Sequence, residues 1–273
     1  MADMADRVRA ELGAVQETLF IPLAARARET RRRRPVLRDP KAAEILASVD
    51  FDARKYGSGW GGWVTVLRTA IFDCWVSDFC TRHPGGTVVE IGTGLNTRFD
   101  RVGDGQAHWI DLDLPDTIEL RRRFFADSGR HRMLAASVLD EDWLPAVRDS
   151  PRPYFFAAEG VLAYLEQAPQ VIARIAGSFP GALIAFDTYG QRMLEQQHKQ
   201  AARKGMDARW AWSCDDPRTL ESLGLRVVQQ AAVTRPPPEL RGRLPRRYRY
   251  MLPLTSRIAG DLATVTLFRA GSR

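Results

Sequence analysis

The sequence predicts an α/β fold: a doubly wound, mostly parallel seven-stranded sheet with an antiparallel last strand and an N-terminal helical cap. Three observations predict it. From Thr87 onward, short apolar runs rich in β-formers alternate with helical stretches, and such alternation winds into a parallel sheet through right-handed crossovers. After Tyr189 the alternation stops, and the two closing strand-like runs, LRVVQQAAV and LATVTLFRA, have no helix between them, as an antiparallel hairpin at a sheet edge requires. Ahead of the alternation, residues 1–82 read as helices.

Each element has a local reason. In MADRVRAELGAVQETLFIPLAARARET the apolar residues Val8, Leu12, Val15 and Leu19 recur near helical spacing, with Pro22 and Pro35 as interruptions. KAAEILASV is a second short helix after the Asp39-Pro40 turn, and GSGWGG (57–62) is a flexible break. WVTVLRTAIFDCWVSDFCTRH then aligns Val64, Leu67, Ile71, Trp75 and Phe79 on one helical face. TVVEIG, AHWIDLDL, RMLAAS, YFFAAEG and ALIAFDTY are buried strands by type, separated by DTIELRRRFFAD, DEDWLPAVRD and QAPQVIARIAGS as helices. QRMLEQQHKQAARKG is a polar helix and DDPRTLESLG a short one, while TRPPPELRGRLPRRYRY is a Pro- and Arg-rich surface loop. The expected division is a cap and lead-in helix over 1–82 and a cofactor domain over 83–273, with a lid insertion at about 190–214.

Composition narrows the class. The 273 residues are 45% hydrophobic and 27% charged, enough apolar chain for a sizeable core. No run approaches the roughly 20 apolar residues of a membrane helix, and MADMADRVRAEL lacks the apolar centre of a secretory signal, so a cytoplasmic protein is expected. Cys74, Cys80 and Cys214 have no metal-ligand spacing and the four histidines are scattered; no metal is expected. The net charge of +7 invites nucleic acid as a partner. That reading is disfavoured: the basic clusters at 31–34, 121–123 and 243–249 lie far apart in sequence, and each reads most simply as a solvated face.

The chemistry centres on TVVEIGTGLNTRFD, residues 87–100. A first parallel strand ends in Glu90, and Gly92 and Gly94 follow, so the backbone can turn tightly and accept a ligand against it. Dinucleotide enzymes place a third glycine where this chain has Thr97. S-adenosylmethionine has no pyrophosphate and needs no third glycine, but it needs acids for its ribose and a site tolerant of a sulfonium. HWIDLDLPD supplies Asp111 and Asp113 at the next strand end. Glu159 follows YFFAA, where an unpaired carboxylate would be costly to bury. It must face a polar ligand or a cation, or pair with an arginine.

Taken together, VLRTAIFD, VVEIGTGLNTR, WIDLDLP and AEGVLAYL resemble the leucine carboxyl methyltransferase family, and more closely its bacterial tetracenomycin-type O-methyltransferases. The resemblance runs from about Ala24 to about Val228 and takes in RARETRRRRPVLRDPKAAEIL and WAWSCDDP. It implies a class I, Rossmann-like methyltransferase fold with S-adenosyl-L-methionine as cofactor. It further implies that Arg68 pairs with the cofactor's carboxylate and that Gly92 lies against its methionine part. Asp113, with Asp111 as the near alternative, would bind the ribose; Ser137 and Val138 would flank adenine; Glu159 is the acid at the fourth strand end. The chain departs from the family at Asn96, often Asp, and at Ser137, where protein-carboxyl methyltransferases carry Asp. The second departure leans toward the small-molecule branch.

The expected activity is O-methylation of a small natural-product acceptor, aromatic and acidic, with a carboxylate giving a methyl ester. A protein or peptide C-terminal carboxyl methyltransferase and a basic RNA-modifying enzyme are the alternatives. A carboxylate is ionised at neutral pH and needs no general base, whereas a phenol or alcohol benefits from one. Tyr164, Asp187, Tyr189 and His198 stand at or after strand ends and are the candidates for that role. Trp60, Trp63, Trp210 and Trp212 are candidates to wall an aromatic pocket, and the arginines of 235–249 to form a basic lid over an acidic acceptor. A monomer or homodimer is expected.

Overall fold

The computed structural model describes residues 16–51, 59–246, 248, 249, 251, 252, 254 and 263–271. The expected helical patterning of residues 1–15 and the start of the GSGWGG break lie outside them. Seven strands form one sheet in the order β3-β2-β1-β4-β5-β7-β6. They are β1 (Thr87–Ile91), β2 (His108–Asp113), β3 (His131–Ala135), β4 (Tyr154–Ala158), β5 (Leu183–Thr188), β6 (Leu225–Ala232) and β7 (Thr264–Ala270). The first five are mutually parallel, and β7 inserts antiparallel between β5 and β6. Each expected strand run forms a strand, and the last two pair antiparallel as expected.

Strand composition explains strand position. All five residues of β1 and of β4 are buried, because these central strands are covered on both faces. At the edge, β3 alternates: His131 and Met133 are buried while Arg132 is exposed. On one face of the sheet Val88, Trp109 and Phe155 pack under α3 (Gly59–Arg82). On the other, Val89, Ile110 and Phe156 pack under α6 (Trp143–Arg148) and α7 (Ala168–Ser178).

The helical segments begin with α1 (Phe20–Thr30) and α2 (Pro40–Ser48). Pro22 does not interrupt the first of these. It sits in the first turn of α1, where backbone N–H groups have no helical acceptor and the missing one costs nothing. Asp39 caps α2 by accepting the Ala42 N–H at 2.9 Å. The GSGWGG break is also shorter than expected, since Gly59 to Gly62 already form the opening of α3. A third apolar cluster of Phe20, Leu23, Ile45, Leu95 and Leu120 fastens α1 and α2 to the loop after β1 and to α5 (Pro115–Arg121). The polar helix α8 (Gln191–Lys204) ends at left-handed Gly205. No helix among the described residues is long and apolar enough to cross a membrane.

This topology sets the site. Strand order reverses at β1, which has β2 on one side and β4 on the other, and a ligand crevice opens outside the carboxyl ends of the strands at such a switch point.

Candidate functional site

The register brings the carboxyl ends of β1, β2 and β4 level. Glu90 stands opposite Asp111 on one side and Ala157 on the other. The loop after β1 turns back over β2, where the N–H groups of Gly92 and Thr93 donate to the Leu112 carbonyl at 2.8 and 3.2 Å. Gly92 has φ +61, and a Cβ on it would overlap the Val161 side chain. Backbone conformation and close approach both require glycine there. Outside this loop lies a cavity of about 350 Å³, within the size range of small-ligand sites.

Arg68, Glu90, Gly92, Gly94, Asp113, Ser137, Val138 and Glu159 all line this cavity. Asp113, the last residue of β2, accepts the Gly94 N–H at 2.7 Å and the Leu114 N–H at 2.8 Å. Burial raises its pKa, against the pull of those two amides. Ser137 accepts the Leu139 N–H at 3.1 Å. That turn is held from outside by Arg174 of α7, which donates to the Val138, Leu139 and Asp140 carbonyls.

Asp111 does not line the cavity. It stands two residues before the strand end, under the glycine loop, and is 1% exposed. Its Oδ2 takes the Arg121 fork, Nε at 2.9 Å and Nη2 at 2.6 Å, and lies 2.5 Å from His131 Nε2. Arg121 spends its remaining nitrogen on the Gly94 and Asn96 carbonyls, at 2.9 and 2.7 Å. Asp111 thus anchors the arginine that shapes the loop. The basic run 121–123 is accordingly no uniform solvated face, because Arg121 is an internal cation.

Two carboxylates that line the cavity, Glu90 and Glu159, share a buried guanidinium with Asp73 of α3. Arg98, 1% exposed, donates to both Glu90 oxygens at 2.6 Å, to Asp73 at 2.8 Å and to Glu159. Glu159 also accepts from Arg68 Nε at 3.2 Å and from the Thr69 hydroxyl at 2.6 Å. Burial alone would raise the Glu159 pKa. The Arg68 and Arg98 charges and the Thr69 bond outweigh it and bring the acid down to about 2. The paired state weighed for this residue from sequence is therefore realised, while Glu159 still borders the cavity. Asn96 donates its amide to Glu90 at 3.2 Å. An aspartate there would set another negative charge against Glu90, so the asparagine suits this floor.

The base candidates separate clearly. Tyr164, in the short 3₁₀ turn Leu162–Tyr164, lines the cavity. Tyr189 lines it too, but its hydroxyl donates to Asp187 at 2.5 Å and accepts from Arg68 Nη1 at 2.7 Å. Burial, reinforced by Asp187 against the opposing Arg68 charge, holds its pKa well above the usual phenol value. Asp187 lies behind the cavity wall, bonded to Arg68, Tyr189 and the Gly160 N–H. His198 is outside the cavity, with Nε2 2.7 Å from the Trp210 carbonyl.

Of the four tryptophans, Trp210 lines the cavity and packs on Tyr189 with ring centroids 4.1 Å apart. Trp63 is a core residue against Tyr248, Trp212 packs in the cluster under α7, and the Trp60 side chain lies outside the described residues. The described arginines of 235–249 do not line the cavity. Arg241 and Arg249 bond to carbonyls of their own segment, Pro236, Leu244 and Gly242. A basic lid over the cavity is not formed by them.

Sequence reasoning missed Arg26, Arg98, Arg101, Arg121 and Arg174. Arginine is so abundant in this chain that no single one stands out. Only the rule that a buried carboxylate needs a cation, applied to Glu90 and Glu159, would have demanded partners for them.

A family model described as leucine carboxyl methyltransferase matches residues 20–176. The tetracenomycin polyketide synthesis O-methyltransferase TcmP of Streptomyces glaucescens is 34% identical over 225 residues, covering 80% of this chain and 83% of the relative. The S-adenosyl-L-methionine-dependent methyltransferase dpfgK of Gibberella zeae is 28% identical over 245 residues, covering 80% and 81%. Among solved structures, a DUF574 family protein from Streptomyces avermitilis superposes with a TM-score of 0.57 at 14% identity, over 90% of this chain and 96% of that one. The plantazolicin methyltransferase BpumL, solved with S-adenosylhomocysteine, gives 0.52 at 11% identity, over 95% and 100%. These two likenesses establish the fold, and the sequence matches establish the lineage: the chain belongs to the leucine carboxyl methyltransferase family and is an S-adenosylmethionine-dependent methyltransferase.

Proposed function

We propose that this enzyme methylates an oxygen of a small-molecule acceptor, that the oxygen belongs to a carboxylate, and that the product is a methyl ester. One observation carries the proposal. Among the described residues lining the cavity there is no histidine, lysine or cysteine, and each acid is already held by donors. A wall of this kind suits an acceptor oxygen that is ionised before it arrives, as a carboxylate is at neutral pH. A phenol or alcohol would benefit from a base to take its proton.

The residues present fit the cofactor. Gly92 lines the cavity with backbone at φ +61 that a side chain would strain and crowd against Val161, Asp113 offers a carboxylate in the lining, and Arg68 Nη2 has no hydrogen-bond partner among the described residues. Arg68 would take the cofactor's carboxylate, Glu159 its ammonium, Asp113 its ribose hydroxyls, and Ser137 and Val138 its adenine. Glu90 supports this floor through Arg98. When bound, S-adenosylmethionine supplies a methyl group activated by a sulfonium. The chain's own contribution is then to bind, orient and exclude water.

The cavity lining includes an apolar and aromatic set, Ile21 and Pro22 of α1 with Tyr164, Leu165 and Trp210, and these would receive the acceptor. A flat aromatic acid of natural-product type suits that lining, and the relation to TcmP, a polyketide O-methyltransferase by name, points the same way. The Tyr164 hydroxyl has no partner among the described residues and is available to orient an acceptor oxygen.

The test is turnover of a panel of polycyclic aromatic acids beside their hydroxyl-only and carboxamide analogues. The expected product loses its methyl group as methanol in mild alkali. An alkali-stable product, or equal turnover of the carboxamide, would overturn the proposal.

A further inference from the structure

Resting on the reading that Arg68 receives the cofactor's carboxylate, we propose that Tyr189 is a positioning residue: with Asp187 it fixes the Arg68 guanidinium, leaving Nη2 as the nitrogen for that ligand. Three observations support this. The Tyr189 hydroxyl accepts from Arg68 Nη1 at 2.7 Å and donates to Asp187 Oδ2 at 2.5 Å, and Asp187 itself receives Nη1 at 3.1 Å. Nη1 is thus held twice, and Nε is held by Glu159. A buried phenol is also costlier than a phenylalanine unless its hydroxyl is used, and at 8% exposure this one is used in both directions. Finally, the wall behind Arg68 is cut to admit the guanidinium. Gly160 has φ +72, a Cβ there would come 3.0 Å from Nη2, and its N–H ties to Asp187 Oδ1 at 2.7 Å.

Tyr189 is tied to the acceptor side as well. Its ring packs on Trp210, which lines the cavity. The Trp210 backbone is held by α8, its N–H donating to Gln197 at 3.2 Å and its carbonyl lying 2.7 Å from His198 Nε2. The wall facing the acceptor and the arginine serving the cofactor therefore meet at one tyrosine. A hydroxyl committed as donor to Asp187 and acceptor from Arg68 is not the proton acceptor of the reaction.

The experiment is calorimetry with two probes, S-adenosylhomocysteine and 5′-methylthioadenosine, on the wild type, Arg68→Gln and Tyr189→Phe. The second probe keeps the nucleoside but lacks the amino-acid tail. Tyr189→Phe keeps the ring and its packing on Trp210. It is expected to weaken S-adenosylhomocysteine about 5- to 10-fold, the size of one ordinary hydrogen bond, while leaving methylthioadenosine within about 2-fold. Unchanged S-adenosylhomocysteine affinity in Tyr189→Phe, alongside a loss in Arg68→Gln, would overturn the role of Tyr189 and leave the cofactor reading standing. Equal weakening of both probes in Tyr189→Phe would also overturn it, since a general structural role acts on both. Unchanged S-adenosylhomocysteine affinity in Arg68→Gln would overturn the cofactor reading, and the inference with it.

Discussion

Replacing Glu159 with glutamine tests whether the cavity floor is held by charge. Glutamine keeps the shape and can still accept the Thr69 hydroxyl, but it gives Arg68 and Arg98 a neutral partner. The carboxyl is brought from its ordinary 4.5 to about 2 in the folded chain. At about 1.4 kcal/mol per pH unit, that fall corresponds to about 3 kcal/mol of stability at pH 7. Because the folded pKa is depressed, the stabilisation is complete above the unfolded value and is lost as pH falls from about 4.5 toward 2. The gap between wild type and Glu159→Gln should therefore be about 3 kcal/mol at pH 7, roughly half that at pH 3, and nearly closed at pH 2. The side chain is 8% exposed, so screening by solvent takes little from this figure. Urea denaturation followed by tryptophan fluorescence at pH 7 and pH 3 measures both values. A gap unchanged between the two, or below about 1 kcal/mol at pH 7, would refute the reasoning.

Two further predictions concern the glycine loop and the two aspartates of β2. Gly92→Ala should cost S-adenosylhomocysteine at least about tenfold in affinity, because the φ of +61 and the overlap with Val161 force the loop to shift; calorimetry on folded protein with wild-type affinity would contradict this. Asp113→Asn should weaken nucleoside binding with little change in melting temperature, whereas Asp111→Asn, which undercuts the buried Arg121 pair, should lower stability by about 3 kcal/mol or more; the opposite ordering of the two variants would return Asp111 to the binding role.

The strands and the loop were legible in the sequence because their signals are local. TVVEI and YFFAA are apolar throughout since both faces of a central strand are covered. Gly92 and Gly94 mark a turn that other residues would strain. The choice between Asp111 and Asp113 was not legible. The two have the same parity along β2, and only the strand's end, together with the position of Arg121, sets one in the cavity wall and the other beneath the loop. Pro22 misled for a related reason: a proline breaks a helix interior but fits a first turn, and local sequence did not show where the helix began. The arginines of 235–249 looked like a lid because charge density in sequence carries no direction. In the fold, Arg241 and Arg249 turn to nearby carbonyls.

What sequence reasoning most lacked was the origin of the countercharges, and these reveal how the site is built. From the cap inward the chain alternates in sign. Arg26 pairs with Asp39, Asp39 with Arg101, Arg101 with Asp73, Asp73 with Arg98, Arg98 with Glu90 and Glu159, and Glu159 with Arg68. The members come from α1, the cap of α2, α3, the short α4 (Arg98–Val102) and the ends of β1 and β4. A cavity floor that carries carboxylates beside apolar strands has to bury them, and each then requires a cation. Drawing those cations from separate segments makes the floor depend on all of them being docked. Arg26 states the dependence most directly. It borders the cavity, is anchored by Asp39 at 2.8 Å, and holds the Leu95 carbonyl of the glycine loop at 2.9 Å. Apolar packing could have attached α1 to the sheet, but it would not have fixed the position of that carbonyl, since dispersion contacts have no direction and a guanidinium hydrogen bond does.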